Sequence, residues 1–357
     1  MNLFPMQTRR VTQADIAVKL GVSRATVALA LKNHHRISTK RRDEVQRMAK
    51  KMGYRPDPFL AGLAAYRRSI EPSKFHGVIG WVNHWVEAAG LHRLQEFENY
   101  WLGAKEAAKQ FGYVLEEIRW PMNCPAKRFE KILLSRGILG VLIPPHPPGQ
   151  SPNWSDFDWR KFSLIRFGMS VHNPDSNVVT SDQFRATVMA MTNIHRLGYR
   201  KIGLILNREL DENIGGNYTG GFFAAQKLFG ISSADSLLLV DPASYRREPA
   251  RAEKELGAWL KKIQPDAVLT TLLEVPAMIR KLGHRIPQDI AVAGTSVADI
   301  PLDAGVNQRS QEIGRIAVEM LVKQININER GEPSAPCRML VESVWQDGKS
   351  LPRRRLK

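Results

Sequence analysis

Ser23, Arg24, Ala25, Thr26 and Leu29, followed by Lys32, Arg36 and Ser38, are the residues whose types and spacing most plainly suit a chemistry. A short helix beginning at Arg24 turns Arg24, Ala25, Thr26 and Leu29 to one side and Val27 and Leu31 to the other. The outer set joins a guanidinium to small and apolar groups, which is what reads base edges in a DNA major groove. The helix caps Thr12, Ser23 and Ser38 and the basic side chains around them can then hold phosphates. The same residues also fit a solvated basic face on an ordinary helical hairpin, and residue type alone leaves both open.

Three short helices must position these groups. Thr12 and Asp15 form the Asp variant of a capping box, with Val11 and Ile16 placed to close a hydrophobic staple across it. Ile16, Ala17 and Leu20 make an apolar stripe, and Gly21 supplies the turn. Ser23 caps the second helix, Arg24 to Leu31. Two helices joined through a short Gly-containing turn are a helix-turn-helix. Ser38 caps a third, in which Val45, Met48, Ala49 and Met52 fall at i, i+3, i+4 and i+7 before Gly53 ends it.

Charge supports the polyanion reading. The 357 residues carry a formal net charge of +17, placed unevenly. Residues 1–76 hold 16 Lys/Arg against 5 Asp/Glu, and residues 349–357 hold five cations and no acid, so 77–348 is nearly neutral. A basic module on a neutral body suits a polyanion-binding head. Length suggests two or three units. Cys124 and Cys337 stand far apart without partners at metal-ligand spacing, so neither a disulfide framework nor a zinc site is indicated. The leader MNLFPMQTRR has no apolar core of secretory length, and no run approaches a membrane span. A reducing, cytoplasmic compartment is expected.

The stretch VTQADIAVKLGVSRATVALALKNHHRISTKRRDEVQRMAKKMGYRP resembles the headpiece of the lactose and galactose repressor (LacI/GalR) family, including Gly53-Tyr54-Arg55-Pro56. The resemblance implies base reading by Arg24, Ala25 and Leu29 beside Thr26 and Ser23, backbone contacts from Lys32, Arg36 and Ser38, and a headpiece over 1–56. It makes 57–75 a hinge helix and linker, with Leu63 as the leucine wedged into the minor groove. A helix through Phe59, Leu60, Ala61, Leu63 and Ala64 is below the ~12 residues that hold together alone in water, so it should order only against a partner. The hinge departs from the family pattern at Asp57-Pro58-Phe59-Leu60-Ala61, which loses a basic contact that Arg67 and Arg68 could replace.

From His76 the runs HGVIGWV, YVLEEIR, ILGVLIP, FSLIRF, KIGLIL, SLLLV, DAVLT and IAVAG alternate with amphipathic helices, near 95–111, 127–135, 184–197, 218–229, 250–263 and 313–325. Strand-helix alternation predicts parallel, doubly wound α/β sheets with right-handed crossovers. About nine strands are many for one sheet and comfortable for two. Family resemblance, carried by Phe167 to Ser170 with Val178 to Asp182, by Leu197 to Gly203, by Ile286 to Gly294 and by Gly305 to Gln308 with Glu312-Ile313-Gly314, implies two similar periplasmic-binding-protein-like α/β lobes, hinged and clasping a ligand between them. The core is expected over 76–357, with an N-subdomain at about 76–180 and 308–327 and a C-subdomain at about 181–307 and 328–357. Pro144 to Arg160 reads as a long proline-rich loop holding Trp154 and Trp159.

Ligands sit beyond the carboxyl ends of parallel strands. That rule nominates Asn83, His84, Ser170, Asn207, Thr270, Thr271 and Ser296. Sugar-binding family members place an arginine where this chain has Tyr218, and an aspartate where it has Thr295-Ser296. The replacements suit a less polar or aromatic effector stacked on Trp81, Trp85 and Tyr218, or a core with no effector. No Gly-x-Gly-x-x-Gly follows a strand, and His34, His35, His92, His146 and His195 lack metal-helix spacing. No catalytic residue, cofactor or metal is therefore expected. The predicted partners are double-stranded operator DNA, a small-molecule effector and a second copy of the chain. An enzyme on a doubly wound fold is the rival reading, and a catalytic constellation lining the crevice would favour it.

Overall fold

A computed structural model describes residues 11–31, 37–54, 75–121, 123–146, 153–230 and 234–354. Lys32, Arg36, Leu63 and the expected hinge segment up to 74 lie outside the described residues. In the head, Asp15 Oδ2 accepts from the Thr12 backbone N–H at 2.8 Å while Thr12 Oγ1 accepts from that of Asp15 at 3.4 Å, closing the capping box that starts α1 (Gln13–Leu20). Gly21 ends it at φ 61°, a left-handed value that favours glycine. Ser23 Oγ accepts from the Thr26 N–H at 3.0 Å and starts α2 (Arg24–Leu31). Ser38 caps α3 (Thr39–Lys51) in the same way through Arg41. Ile16, Ala17, Val27, Ala30, Val45 and Ala49 form the head core. Leu31, expected inward beside Val27, is only half-buried at the end of α2, and Ala30, one i+3 step from Val27, takes the fully buried place.

The first lobe opens with β1 (Gly77–Asn83), α4 (Ala88–His92), α5 (Gln95–Gln110) and β2 (Tyr113–Arg119). It continues through α6 (Ala126–Ser135), β3 (Gly140–Ile143), β4 (Ser163–Phe167) and β5 (Asn177–Ser181). The chain then enters the second lobe as α7 (Gln183–Arg196), β6 (Ile202–Asn207), α8 (Arg208–Asn213), α9 (Asn217–Leu228) and β7 (Leu237–Val240). There follow α10 (Pro242–Arg247), α11 (Pro249–Ile263), β8 (Ala267–Thr270), α12 (Val275–Lys281), β9 (Ala291–Gly294) and β10 (Gly305–Asn307). It returns to the first lobe for α13 (Ser310–Ile327) and β11 (Arg338–Val341), and ends in the second with β12 (Val344–Gln346).

Two six-stranded sheets result, ordered β11-β5-β4-β3-β1-β2 and β12-β10-β9-β8-β6-β7. Every pairing is parallel except β10 with β12. Runs such as GVLI, SLIRF and AVLT are buried along their whole length, as strands covered by helices on both faces must be. The chain crosses between lobes at 181–183, 307–310 and 341–344. The boundary expected near 328 is thus corrected: residues 338–341 pair in parallel with β5, so the last crossing falls after Val341. That strand escaped the sequence reading because three of its four residues are exposed at a sheet edge.

The expected 144–160 loop carries no strand or α-helix among its described residues, only a 3-10 turn from Trp159 to Lys161, and it packs onto the lobe. Residues 147–152 lie outside the described ones, but Trp154, Phe157 and Trp159 are buried against Trp120, Phe129 and Phe162. Trp120 stacks on Phe129 with ring centroids 4.3 Å apart.

The first lobe's closest helix contact is α5 on α13, made through two glycines. A Cβ at Gly103 would lie 2.0 Å from the Gln311 carbonyl oxygen, and one at Gly314 would lie 2.1 Å from that of Tyr100. Backbone cannot yield as a side chain end can. Gly314→Ala is expected to cost about 1–3 kcal/mol through overpacking, read as a lowered unfolding midpoint; an unchanged midpoint contradicts the contact.

Candidate nucleic-acid interface and interlobe crevice

In the head, burial of Val27 and Ala30 fixes the rotation of α2 and so decides what faces solvent. Ser23, Arg24 and Ala25 are exposed, and Thr26 and Leu29 half-exposed, on one continuous outer side. Lys19 on α1 and Lys40, Arg41, Arg47, Lys50 and Lys51 on α3 are exposed as well. Arg41 is paired with Glu44 at 2.8 Å. Gln13 Nε2 donates to the Tyr54 hydroxyl at 3.1 Å, and Gln46 Nε2 donates to the Ala30 carbonyl at 3.3 Å. These bonds tie α1 and α3 around α2. The first turn of a rigidly held helix, bearing a guanidinium and flanked by cations, can meet base edges while its neighbours meet phosphates. Thr12 spends its hydroxyl on Asp15 and is itself exposed.

The crevice between lobes is closed by polar groups. Glu96, in the first turn of α5, is only 5 % exposed. It receives hydrogen bonds from the hydroxyls of Ser296, in the second lobe after β9, and Ser310, the first residue of α13. Asp299, also in the second lobe, accepts from the Glu96 backbone N–H at 3.1 Å. Beside it, Gln308 Nε2 donates to the Thr295 carbonyl at 3.1 Å and Gln308 Oε1 accepts from Ser181 at 2.7 Å, joining two of the crossings. Burial pushes the Glu96 carboxyl up to about 7, opposed by the Ser296 hydrogen bond and helped by the nearby Asp299 charge. Burial also raises Asp299, against the backbone N–H groups of Glu96 and Gln95. Tyr218 is buried in the same place; burial first and Glu96 second raise its hydroxyl, while hydrogen bonds with Gln308 and Thr295 oppose them. Asp211 accepts from the Tyr218 N–H at 3.0 Å and from Thr219, capping α9.

Of the residues nominated for an effector, the structure brings Tyr218 and Ser296 together in this crevice. Asn83, Ser170 and Thr271 have local employment. Asn83 is buried, donates to Glu117 at 2.5 Å and accepts from the Trp85 N–H at 2.9 Å. Ser170 accepts from the His146 N–H at 3.2 Å, and Thr271 from the Asn207 N–H at 2.8 Å. Trp81 is corrected as a stacking surface: it is 0 % exposed, packed against Trp101 and Phe167. Trp85 is half-buried, its Nε1 donating to the Pro145 carbonyl at 3.0 Å. Sequence reasoning missed Glu96, Asp299, Gln308 and Ser310. An acid in the first turn of a helix is ordinary, so Glu96 carried no separate signal. Asp299 had one: it stands just beyond Ser296, close to where an aspartate is expected.

An open pocket of about 490 Å³ lies between β2 and α6, lined by Arg119, Cys124, Arg128 and Arg136 among others, with no second-lobe residue. No helix among the described residues is long and apolar enough to cross a membrane.

Residues 12–57 match the family model described as bacterial regulatory proteins, lacI family, and residues 192–350 match the periplasmic binding protein-like domain. The chain is similar to the HTH-type transcriptional regulator KdgR of Bacillus subtilis, 23 % identical over 96 % of this chain and 98 % of that one. It is similar to the HTH-type transcriptional repressor CytR of Escherichia coli K12, also 23 % identical, over 92 % and 94 %. Among solved structures, a transcriptional regulator CelR–cellobiose complex superposes with a TM-score of 0.57 at 20 % identity, covering 96 % of this chain and all of that one. The lac repressor dimer bound to operator and the anti-inducer ONPF gives 0.53 at 17 % identity with the same coverage.

Near the crevice, His84 and His146 are buried, edge to face at 5.5 Å, and close to Trp154. Burial lowers His84, and burial with the His84 and Arg166 charges lowers His146 to about 3. Both are neutral in the fold and take up protons on unfolding, so they stabilise above about pH 6.5 and lose that contribution as pH falls toward 3. The unfolding midpoint should fall across this window, and less steeply in His146→Phe; equal slopes contradict the assignment.

Proposed function

The chain belongs to the lacI family of bacterial regulatory proteins, and we propose that it regulates transcription by binding a two-fold operator as a homodimer. The observation that carries this reading is the outer face of α2, where Ser23, Arg24, Ala25, Thr26 and Leu29 line one side of a helix whose other side is locked in the head core. Arg24, Ala25 and Leu29 read bases, with Thr26 and Ser23 beside them. Thr12, Lys32, Arg36 and Ser38 hold the backbone, and Leu63 enters the minor groove from the segment that follows the head.

The second half of the proposal is linkage. A small molecule between the lobes changes their angle, the angle sets the spacing of the two hinge segments, and operator affinity follows. Tyr218 and Ser296 contact the effector in this reading, with Asn83, Ser170 and Thr271 on the loops behind them. Asp299 and Asp211 bring acceptors to the crevice. That chemistry favours a neutral molecule bearing hydroxyls, which can donate to carboxylates, over an anion.

Selection of bound sequences from a random pool, followed by salt titration on the best site, tests the reading. Arg24→Ala should lose about 1–3 kcal/mol on that site and relax preference at one base position. Lys32→Ala should weaken all sequences alike and reduce the salt slope by about 1. Leu63→Ala should weaken operator binding with ligand binding intact. A pool that yields no preferred sequence contradicts the function.

A further inference from the structure

Several contacts between the lobes converge on one side chain and one helix end. Glu96 enters the second lobe's surface with both carboxyl oxygens engaged by serine hydroxyls, and nothing cationic is among the groups acting on it within the described residues. The groups facing it from each packed element are Asp299 from the loop after β9, Tyr100 from α5 itself, Tyr218 from α9 with Asp211 behind it, and the neutral Ser310 from α13. Arg309, next to Ser310, is exposed. An ionised carboxylate in that setting is desolvated, sits beside a second carboxylate and has only neutral partners.

A protonated carboxyl fits the same contacts. Ser296 donates to Glu96 Oε1 while its oxygen accepts from the Asp299 N–H at 3.2 Å, so its role is fixed. The Ser310 hydroxyl, which donates to the other oxygen of the carboxylate, rotates to accept when that oxygen carries the proton. Separating the lobes returns Glu96 to water, where its ordinary value is 4.5.

We propose that this contact is a proton-operated switch on the crevice: Glu96 closes the lobes as the neutral acid and releases them as the carboxylate. The sign follows from linkage. The closed form binds a proton more tightly than the open one, so the closure constant is highest and level below about 4.5, falls by up to tenfold per unit between about 4.5 and 7, and is level again above 7. Asp299, raised by burial, acts in the same direction. The consequence for operator affinity rests on the linkage proposed above; the lobe motion itself does not.

Small-angle scattering of the full chain from pH 5 to 8 at fixed ionic strength, with operator affinity measured in parallel, tests the switch. The wild-type radius of gyration should rise with pH and flatten above 7. Glu96→Gln, whose amide donates to Ser310 and accepts from Ser296, should stay compact throughout. Wild-type dimensions that do not change with pH overturn the switch, as does a Glu96→Gln series that follows the wild type. The wild-type series decides alone should the variant not fold. A pH-dependent radius with operator affinity unmoved leaves the switch standing and removes the linkage; a constant radius with operator bound tightly does the reverse.

Discussion

The first turn of α5 presents backbone N–H groups that its own sequence does not satisfy. Leu94, at the N-cap, has no side-chain oxygen, and no local cap forms. The missing acceptor comes from the other lobe, where Asp299 takes the Glu96 N–H. A helix of sixteen residues therefore ends on a carboxylate more than two hundred positions away, and closing the lobes completes its hydrogen bonding. The Glu96 carboxyl, carried on the same turn, adds the contacts to Ser296 and Ser310. Because α5 and α13 meet through Gly103 and Gly314 at backbone distance, the turn, the serine and the crossing at 307–310 move as one body.

Three crossings between lobes make the relative motion a hinge rather than a free rotation. Two are tied directly, Ser181 to Gln308 and Gln308 to Thr295. The third passes Ser343, whose buried hydroxyl has no hydrogen-bond partner. The head, in contrast, has a core of six buried aliphatic side chains, and bonds through Gln13 and Gln46 hold its helices together. In the proposed function, binding chemistry sits on the small unit and adjustable geometry on the large bilobed one. Charge is divided in the same way, with the excess of cations at the ends of the chain and a near-neutral body.

The head was legible residue by residue because its signals are local. The Thr12–Asp15 box, Gly21, Ser23 and Ser38 each act within four positions, and each forms as the spacing predicts. The parallel sheets were legible where strands are apolar throughout, as at 140–143 and 267–270. They were not at 305–307, 338–341 and 344–346, where strands of three or four residues at or near sheet edges are too short to show an apolar run. The crevice was half legible. Strand ends located Ser296, and comparison of motifs located Tyr218, but partners separated by two hundred residues have no signature in a single sequence. Asn83, Ser170 and Thr271 illustrate the cost of the strand-end rule: polar residues there bond their own loops as readily as they face a neighbour.

The central claim is that crevice geometry and operator binding are one equilibrium. Linkage is reciprocal, so operator must act on the lobes as strongly as the lobes act on operator. Spin labels at the exposed positions Lys109 on α5 and Lys261 on α11, in a chain with Cys124 and Cys337 replaced by serine, report the interlobe distance. Addition of the selected operator should shift the distance distribution toward one of the forms seen without DNA. Distributions that superimpose with and without saturating operator would contradict the account.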